Sequence, residues 1–283
     1  MRLLDRLVQR IKGGKPKSKG ITAEIRVLDP IDGPVYAVGD VHGCLCLYRE
    51  IEAQILRDAD DFAGQPTIVL LGDVVDRGPQ SAALIDHLLG APPLAARRLC
   101  LMGNHEAMML DYLAAPKANA NWLHMGGHAT LASYGMTCDI AALERMSERK
   151  LLQTLAAHLP GHHVRFLQNL LPGLQVGPYL LAHAGADAAA PLTAQPRQAL
   201  LWGNAGRRAP GGLTLVHGHY VTARPERRPH SIGIDTGAYA TGHLTALRLV
   251  QGDSPAVLTT KENLPFKDLA FDESFQPPAE DPR

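Results

Sequence analysis

No stretch of the chain is apolar for long enough to cross a membrane as a helix. Such a span needs roughly 18 apolar residues, and Pro172, Gly173, Pro178 and His183 interrupt the longest candidate, so the protein is expected to be soluble. Neither sign of charge is in excess. Lys plus Arg and Asp plus Glu each number 28, which leaves no overall field to draw in nucleic acid or an acidic surface, and a nucleic-acid partner is not expected. Cysteine is scarce too. Cys44, Cys46, Cys100 and Cys138 offer no C-x-x-C spacing, which argues against a disulfide framework or a structural zinc site and for reduced cytoplasmic thiols. The N-terminus is basic but lacks an apolar core followed by a small-residue cleavage site, so a secretory signal is not expected either.

With 283 residues, 46% of them hydrophobic, the chain can bury one large core. One domain over residues 31–260 is expected, with an arm over 1–30 and an acidic, partly disordered tail over 261–283. Met1 to Gly20 carries seven basic residues against Asp5, and Leu3, Leu4, Leu7, Val8 and Ile11 recur at helical spacing. That pattern reads as a short helix packed on its own domain and followed by a linker, or as a weak contact with an anionic membrane or a partner. In the tail, Phe266, Phe271 and Phe275 are candidates to pin part of the segment to the body.

What the chain has instead is charge at the ends of apolar runs. Ile68-Val69-Leu70-Leu71 reads as a buried strand, and directly after it Gly72-Asp73-Val74-Val75-Asp76-Arg77-Gly78 puts two carboxylates and a guanidinium within five residues. In open α/β sheets that carboxyl edge is where ligands bind. Pro34 to Val38 is a second such strand, delivering Gly39-Asp40-Val41-His42-Gly43; residues two apart on extended chain share a side, so Asp40 and His42 converge. A third, Arg98 to Met102, ends in Gly103-Asn104-His105-Glu106. The spacings are 73 − 40 = 33 and 104 − 73 = 31, each close to one strand-helix-strand unit. Helices over Leu45 to Leu56, over Gln80 to Leu89 and from about Asn104 fill those intervals.

The middle is less legible. Ala118 to Tyr134 reads as a loop with a helix, and Glu144 to Leu171 as an amphipathic helical stretch with a break at Pro160-Gly161, near which His158, His162 and His163 look like surface residues. Then the pattern resumes. Tyr179 to Ala182 leads to His183-Ala184-Gly185, and Leu213 to Val216 leads to His217-Gly218-His219. Further strands are expected at Ser231 to Ile234 and Leu244 to Val250.

Five apolar strands thus each present oxygen or nitrogen donors beside glycine: Asp40 with His42, Asp73, Asn104, His183, and His217 or His219. Mixed carboxylate, amide and imidazole donors suit Mn, Fe or Zn better than Ca or a thiolate-selected ion. Six donors exceed the needs of one catalytic ion, whereas two divalent ions about 3.5 to 4 Å apart and bridged by Asp73 fit the count. Such a pair binds phosphoryl oxygens and lowers the pKa of bound water from about 15.7 toward about 7, which allows in-line attack on phosphorus. Arg77 suits a bidentate grip on a phosphoryl group. His105 is placed to protonate a leaving oxygen.

In the order Gly-Asp-x-His-Gly, Gly-Asp-x-x-Asp-Arg-Gly, Gly-Asn-His-Glu, His-Ala-Gly and Gly-His, the chain resembles the bacterial phosphoprotein phosphatases within the calcineurin-like metallophosphoesterases. The resemblance runs from about Val35 to Val250. It implies an α/β fold of two mixed β-sheets between helices, with residues 31–260 as the catalytic domain. It also implies that Asp40, His42 and Asp73 hold one metal, that Asp73, Asn104, His183 and His219 hold the other, and that Asp76 orients His105. His217 then precedes the motif and packs behind it. Relatives of this type carry Leu-Trp-Ile-Arg where this chain reads Leu201-Trp202-Gly203-Asn204, so Arg207 or Arg208 is the candidate substitute on the substrate phosphate. The implied activity is serine/threonine protein phosphatase. The alternative is a diadenosine tetraphosphate hydrolase, whose family typically has Ala where Asp76 stands and Asp where Glu106 stands; a non-catalytic phosphate-binding protein is the third.

Overall fold

The computed structural model describes residues 21–92, 96–204 and 206–260, with the backbone of Ala270–Phe271. The basic helix read over Met1 to Gly20, and Phe266, Phe275 and the end of the tail, lie outside the described residues. Two short strands come first among the described residues, β1 (Thr22–Ala23) and β2 (Arg26–Val27). The first long one is β3 (Val35–Val38), buried at every position, the mark of a strand covered on both faces. Val35 and Ala37 face one way, Tyr36 and Val38 the other.

Beside β3 run β4 (Thr67–Leu70) and β5 (Arg97–Cys100), parallel to it and in register Val35, Thr67, Arg97. In the intervals lie α1 (Leu45–Ala59) and α2 (Ser81–Leu89), and α3 (Asn104–Ala114) follows. A second sheet takes β2, β6 (Leu174–Val176), β7 (Tyr179–Leu181), β9 (Thr214–His217), β10 (Glu226–Arg228), β11 (Ser231–Gly233) and β14 (Ala270–Phe271), in the order β14-β10-β11-β9-β7-β6-β2. The short β8 (Gln195–Pro196) pairs with β1. The first sheet is completed by β12 (Thr245–Leu249), antiparallel to β3, and β13 (Ala256–Thr259), antiparallel to β12. Both sheets are mixed, as expected for this α/β fold.

Alternation then decides the layering. Val35, Ala37, Val69 and Leu71 pack against Leu181, Val216 and Ile232 between the sheets. Tyr36, Val38, Ile68 and Leu70 take the opposite face, under Ile51 of α1, Leu84 of α2 and Tyr112 of α3. Outside the second sheet Leu180 and Leu215 meet Leu200 of a short helix over Arg197–Trp202. Leu71 is fully buried between the sheets, so its truncation to Ala would cost about 2–5 kcal/mol.

The middle of the chain departs from expectation. The helix expected within Ala118 to Tyr134 is α4 (His128–Ser133); α5 (Ile140–Arg145) begins ahead of Glu144, and the stretch from Glu144 to Leu171 is broken at Ser147 as well as at Pro160-Gly161, into α6 (Glu148–His158) and α7 (Gly161–Gln168). Ser147 starts α6 afresh, its Oγ accepting from the Lys150 amide at 3.4 Å, and Pro160 at the head of α7 cannot continue a helix. Two short α-helices follow among the described residues, α8 (Arg197–Trp202) and α9 (Ala238–Thr241). His163 is not a surface residue: it is 1% exposed, held between Asp86 of α2 and Tyr134. No helix among the described residues is long and apolar enough to cross a membrane. All four cysteines are free thiols.

Candidate metal centre

Six strands, three from each sheet, deliver side chains to one edge. From the first sheet come Asp40 and His42 after β3, Asp73 after β4 and Asn104 after β5; from the second come His183 after β7, His219 after β9 and Asp235 after β11. The loops are tied together before any side chain is considered. His42 N–H donates to the Asp73 carbonyl at 2.8 Å and Gly43 N–H to that of Val74 at 2.9 Å. Glu106, fully buried, accepts four amides: Gly103 at 2.9 Å, Asp73 at 2.8 Å, Val74 at 2.8 Å and Val75 at 3.1 Å. This bonding holds a strained backbone. The non-glycine residues with positive φ among those described, His42, Asp73, Asp76, Arg77 and His219, are all here, at a cost of order 1–3 kcal/mol each.

The side chains converge on Asp73. Its Oδ2 lies 3.6 Å from His42 Nε2, 3.5 Å from His183 Nε2 and 3.9 Å from His105 Nε2, while its Oδ1 accepts the His105 amide at 3.0 Å. Asn104 Oδ1 is 2.8 Å from His183 Nε2 and 3.1 Å from His219 Nδ1. Two triads result, His42 with Asp73 and His105, and Asp73 with His183 and His219, each with its donor atoms within 4.8 Å of one another. They share Asp73.

The donor chemistry fits cations. His42 Nδ1 lies 2.8 Å from the Val75 carbonyl and His183 Nδ1 lies 3.1 Å from that of Leu71, so each Nδ1 carries the proton and each Nε2 turns a lone pair toward Asp73. Burial drives both imidazoles to the neutral form, His42 down to about 3 and His183 down to about 4, the state a ligand must have. Asp40, 2% exposed, gives Oδ2 to the His219 amide at 3.0 Å and leaves buried Oδ1 without a partner. A Cβ at Gly218 would come within 2.0 Å of that oxygen. Burial first, then the Asp235 and Asp73 carboxylates, raise Asp40 well above the usual carboxylate range. Lone pairs and carboxylates gathered in a dry pocket repel one another unless positive charge sits among them.

Residues 33–244 match the family model of calcineurin-like phosphoesterases. The chain belongs to that family. It is a hydrolase of phosphoesters, and the family's divalent metals have the His and Asp cluster described above to bind to. The chain is 26% identical to a symmetrical bis(5′-nucleosyl)-tetraphosphatase of Janthinobacterium sp., over 82% of this chain and 98% of that one. It is 25% identical to the asymmetrical bis(5′-nucleosyl)-tetraphosphatase PrpE of Bacillus subtilis, over 83% and 97%. A crystal structure of a candidate diadenosine tetraphosphatase superposes with a TM-score of 0.54 at 20% identity, over 84% of this chain and 98% of that one, a likeness of fold. These relatives are named tetraphosphatases rather than protein phosphatases, so the narrower resemblance drawn from the motifs gives way to the alternative set beside it.

The remaining predicted residues of this phosphoesterase fall around the centre unequally. Asp76 is fully buried and accepts at Oδ2 from His105 Nδ1 and from Trp122 Nε1, both at 2.7 Å, and at Oδ1 from the Thr130 hydroxyl at 2.7 Å. With Nδ1 donating to Asp76, His105 turns Nε2 to the centre. Burial alone would lower the His105 pKa, but the carboxylates of Asp73 and Asp76 outweigh it and raise the pKa above its ordinary value. Arg77 Nη1 donates to His42 Nε2 at 3.0 Å, its guanidinium 4.6 Å from the centre of the Tyr239 ring. Arg207 and Arg208 part company. Arg207 lies 4.1 Å from the centre of the Tyr220 ring, which itself packs on His219, whereas Arg208 Nη2 lies 3.1 Å from His230 Nε2 in the turn between β10 and β11. His217 is buried behind the centre, its Nδ1 2.9 Å from the Gly218 carbonyl. The sequence reading gave no role to Asp235, although it ends an apolar strand like the others. Trp122 and Thr130 carried no signal, since 46 and 54 residues separate them from Asp76.

Proposed function

We propose that this phosphoesterase hydrolyses bis(5′-nucleosyl) tetraphosphates with two divalent ions, one held by Asp40, His42 and Asp73 and the other by Asp73, Asn104, His183 and His219. The shared Asp73 carboxylate, faced by unprotonated imidazole nitrogens on both sides, carries the reading of a paired centre; the relatives supply the substrate class. Bound there, ions such as Mn, Fe or Zn supply Lewis-acid charge for phosphoryl oxygens and an acidified water, with Mn the first to try.

The rest is done by the chain. Arg77 grips phosphoryl oxygens through its fork of N–H donors. His105, whose pKa the facing carboxylates of Asp73 and Asp76 raise, gives a proton from Nε2 to the departing oxygen. Asp76 fixes the tautomer, held still in turn by Trp122 and Thr130. Arg207, beside Tyr220 and His219, takes the part of the arginine missing at Asn204, and Arg208 drops out in favour of its His230 contact.

One observation favours a second reading. The buried Asp76–His105 pair is apparatus for a basic leaving group such as a serine or threonine alkoxide, more than for a nucleotide phosphate, which departs readily as an anion. Turnover of diadenosine tetraphosphate and of a phosphoserine peptide, with Mn added and again after chelation, decides. A tenfold or greater advantage in kcat/KM for the dinucleotide is expected. The reverse preference establishes the phosphoprotein phosphatase, and no turnover of either by metal-loaded protein establishes a phosphate-binding protein.

A further inference from the structure

Two aromatic rings at the rim of the centre are left more than a third exposed to solvent. Trp202 is 38% exposed and Tyr239 is 41% exposed, the two most open aromatic side chains among the described residues. Both border the paired centre, one beside each half. Trp202, at the end of α8, lies 6.1 Å from the ring centre of His219, whereas Tyr239, in α9, lies 5.2 Å from that of His42. Neither position is accidental. Tyr220 hydroxyl donates to the Trp202 carbonyl at 3.3 Å, and the next residue is Gly203, at φ 64°, where a Cβ would come within 2.0 Å of that hydroxyl oxygen. The backbone that presents Trp202 is therefore fixed to the His219 segment. On the other side Tyr239 is held by Arg77, whose guanidinium packs on its face.

An exposed aromatic face beside a phosphate-binding centre is what stacking on a planar base requires, since every nucleobase has a π-face and an apolar ring gains by covering it. A single phosphate monoester on a peptide gives no reason for two such faces, one at each end. Resting on the reading of the substrate as a dinucleoside tetraphosphate, we propose that Trp202 and Tyr239 are nucleobase platforms, Trp202 for the nucleoside on the His219 side and Tyr239 for the nucleoside on the His42 side. The polyphosphate then crosses the centre between them, within reach of Arg207 on the Tyr220 ring and Arg77 on the Tyr239 ring.

The test compares binding of ADP with binding of pyrophosphate, which shares the diphosphate and lacks the base, to the Mn-loaded full chain by calorimetry. The wild type is expected to prefer ADP. In W202A that preference falls by roughly 5- to 150-fold, the range for losing one stacked base, and in W202F most of it returns; Y239F, which keeps the ring, retains it. ADP also quenches tryptophan fluorescence where pyrophosphate does not, and W202F abolishes the quench, which separates Trp202 from buried Trp122. An unchanged ADP preference in W202A, in an enzyme that does turn over diadenosine tetraphosphate, overturns the platforms and leaves the proposed function standing. No ADP preference and no dinucleotide turnover in the wild type removes both. A phosphoserine peptide whose binding W202A weakens as much as that of ADP also overturns the base assignment.

Discussion

Histidine and aspartate meet at two places among the described residues, and only one of them has lone pairs left over. At the strand ends, His42 and His183 spend their Nδ1 protons on backbone carbonyls and turn Nε2 toward a carboxylate 3.5–3.6 Å away; Arg77 answers the nitrogen of His42, but no donor answers that of His183 or Asp40 Oδ1. Around α7 the same residue types are satisfied. His163 lies between Tyr134 hydroxyl, 2.8 Å from Nδ1, and Asp86 Oδ1, 2.9 Å from Nε2, with His162 Nε2 at 4.0 Å from that same oxygen. Asp86 and His162 are exposed, so water answers whatever the protein does not. Proximity of ligand types is therefore a poor guide. What separates a metal centre from a structural hydrogen-bond relay is whether donors and acceptors already cancel.

The comparison can be broken at its strongest point first. D73N keeps the shape of the side chain but removes the shared negative charge; kcat/KM should fall by at least about 10³-fold, and elemental analysis should find the metal complement reduced. Full metal occupancy in D73N would mean that the centre is not organised around that carboxylate. H105Q should cost roughly 10²- to 10⁴-fold in kcat while metal content stays at the wild-type level, which separates the proton donor from the ligands. At the other place the losses are in stability alone. H163A should keep its metal and lose about 1–3 kcal/mol in urea unfolding, because it leaves a cavity and strips Tyr134 of a partner.

The smallest effect is a pH dependence. Burial lowers the His163 pKa below its ordinary 6.5, against the upward pull of Asp86. The unfolded chain therefore takes up this proton first as pH falls through about 6.5, and stability drops with it until the folded state is protonated as well. H163Q, which keeps a polar side chain but does not titrate, should flatten unfolding free energy between pH 7.5 and 5.5 by under about 1 kcal/mol. A slope as steep as that of the wild type would assign the effect elsewhere.

The strands that feed the centre were legible because each is a short apolar run stopped by glycine, and a strand end is a local property of sequence. Asp40, His42, Asp73, Asn104 and His183 stand out in that way, whereas the choice of His219 over His217 rests on the family resemblance. The relay around His163 was not, because its acid lies 77 residues upstream; nothing near Pro160-Gly161 announces Asp86. Separations of 46 and 54 residues from Asp76 hide Trp122 and Thr130 in the same way. Strands of two or three residues such as β1, β2, β10 and β14 are made by what they pair with, so no pattern of their own could reveal them. The run from Glu144 misled for a different reason. Pro160-Gly161 is a visible break, since proline cannot continue a helix, but the restart at Ser147 costs the apolar pattern only a shift of phase.

Because one rim of the centre is built on the first sheet and the other on the second, neither sheet can assemble it unaided. Loosening the Leu71, Leu181 and Val216 layer would move His183 and His219 away from Asp73 while leaving α1, α2 and α3 on their own sheet. Affinity for ions then acts as a gauge of how tightly the halves of the molecule are closed, and it should fade before circular dichroism registers any loss of helix.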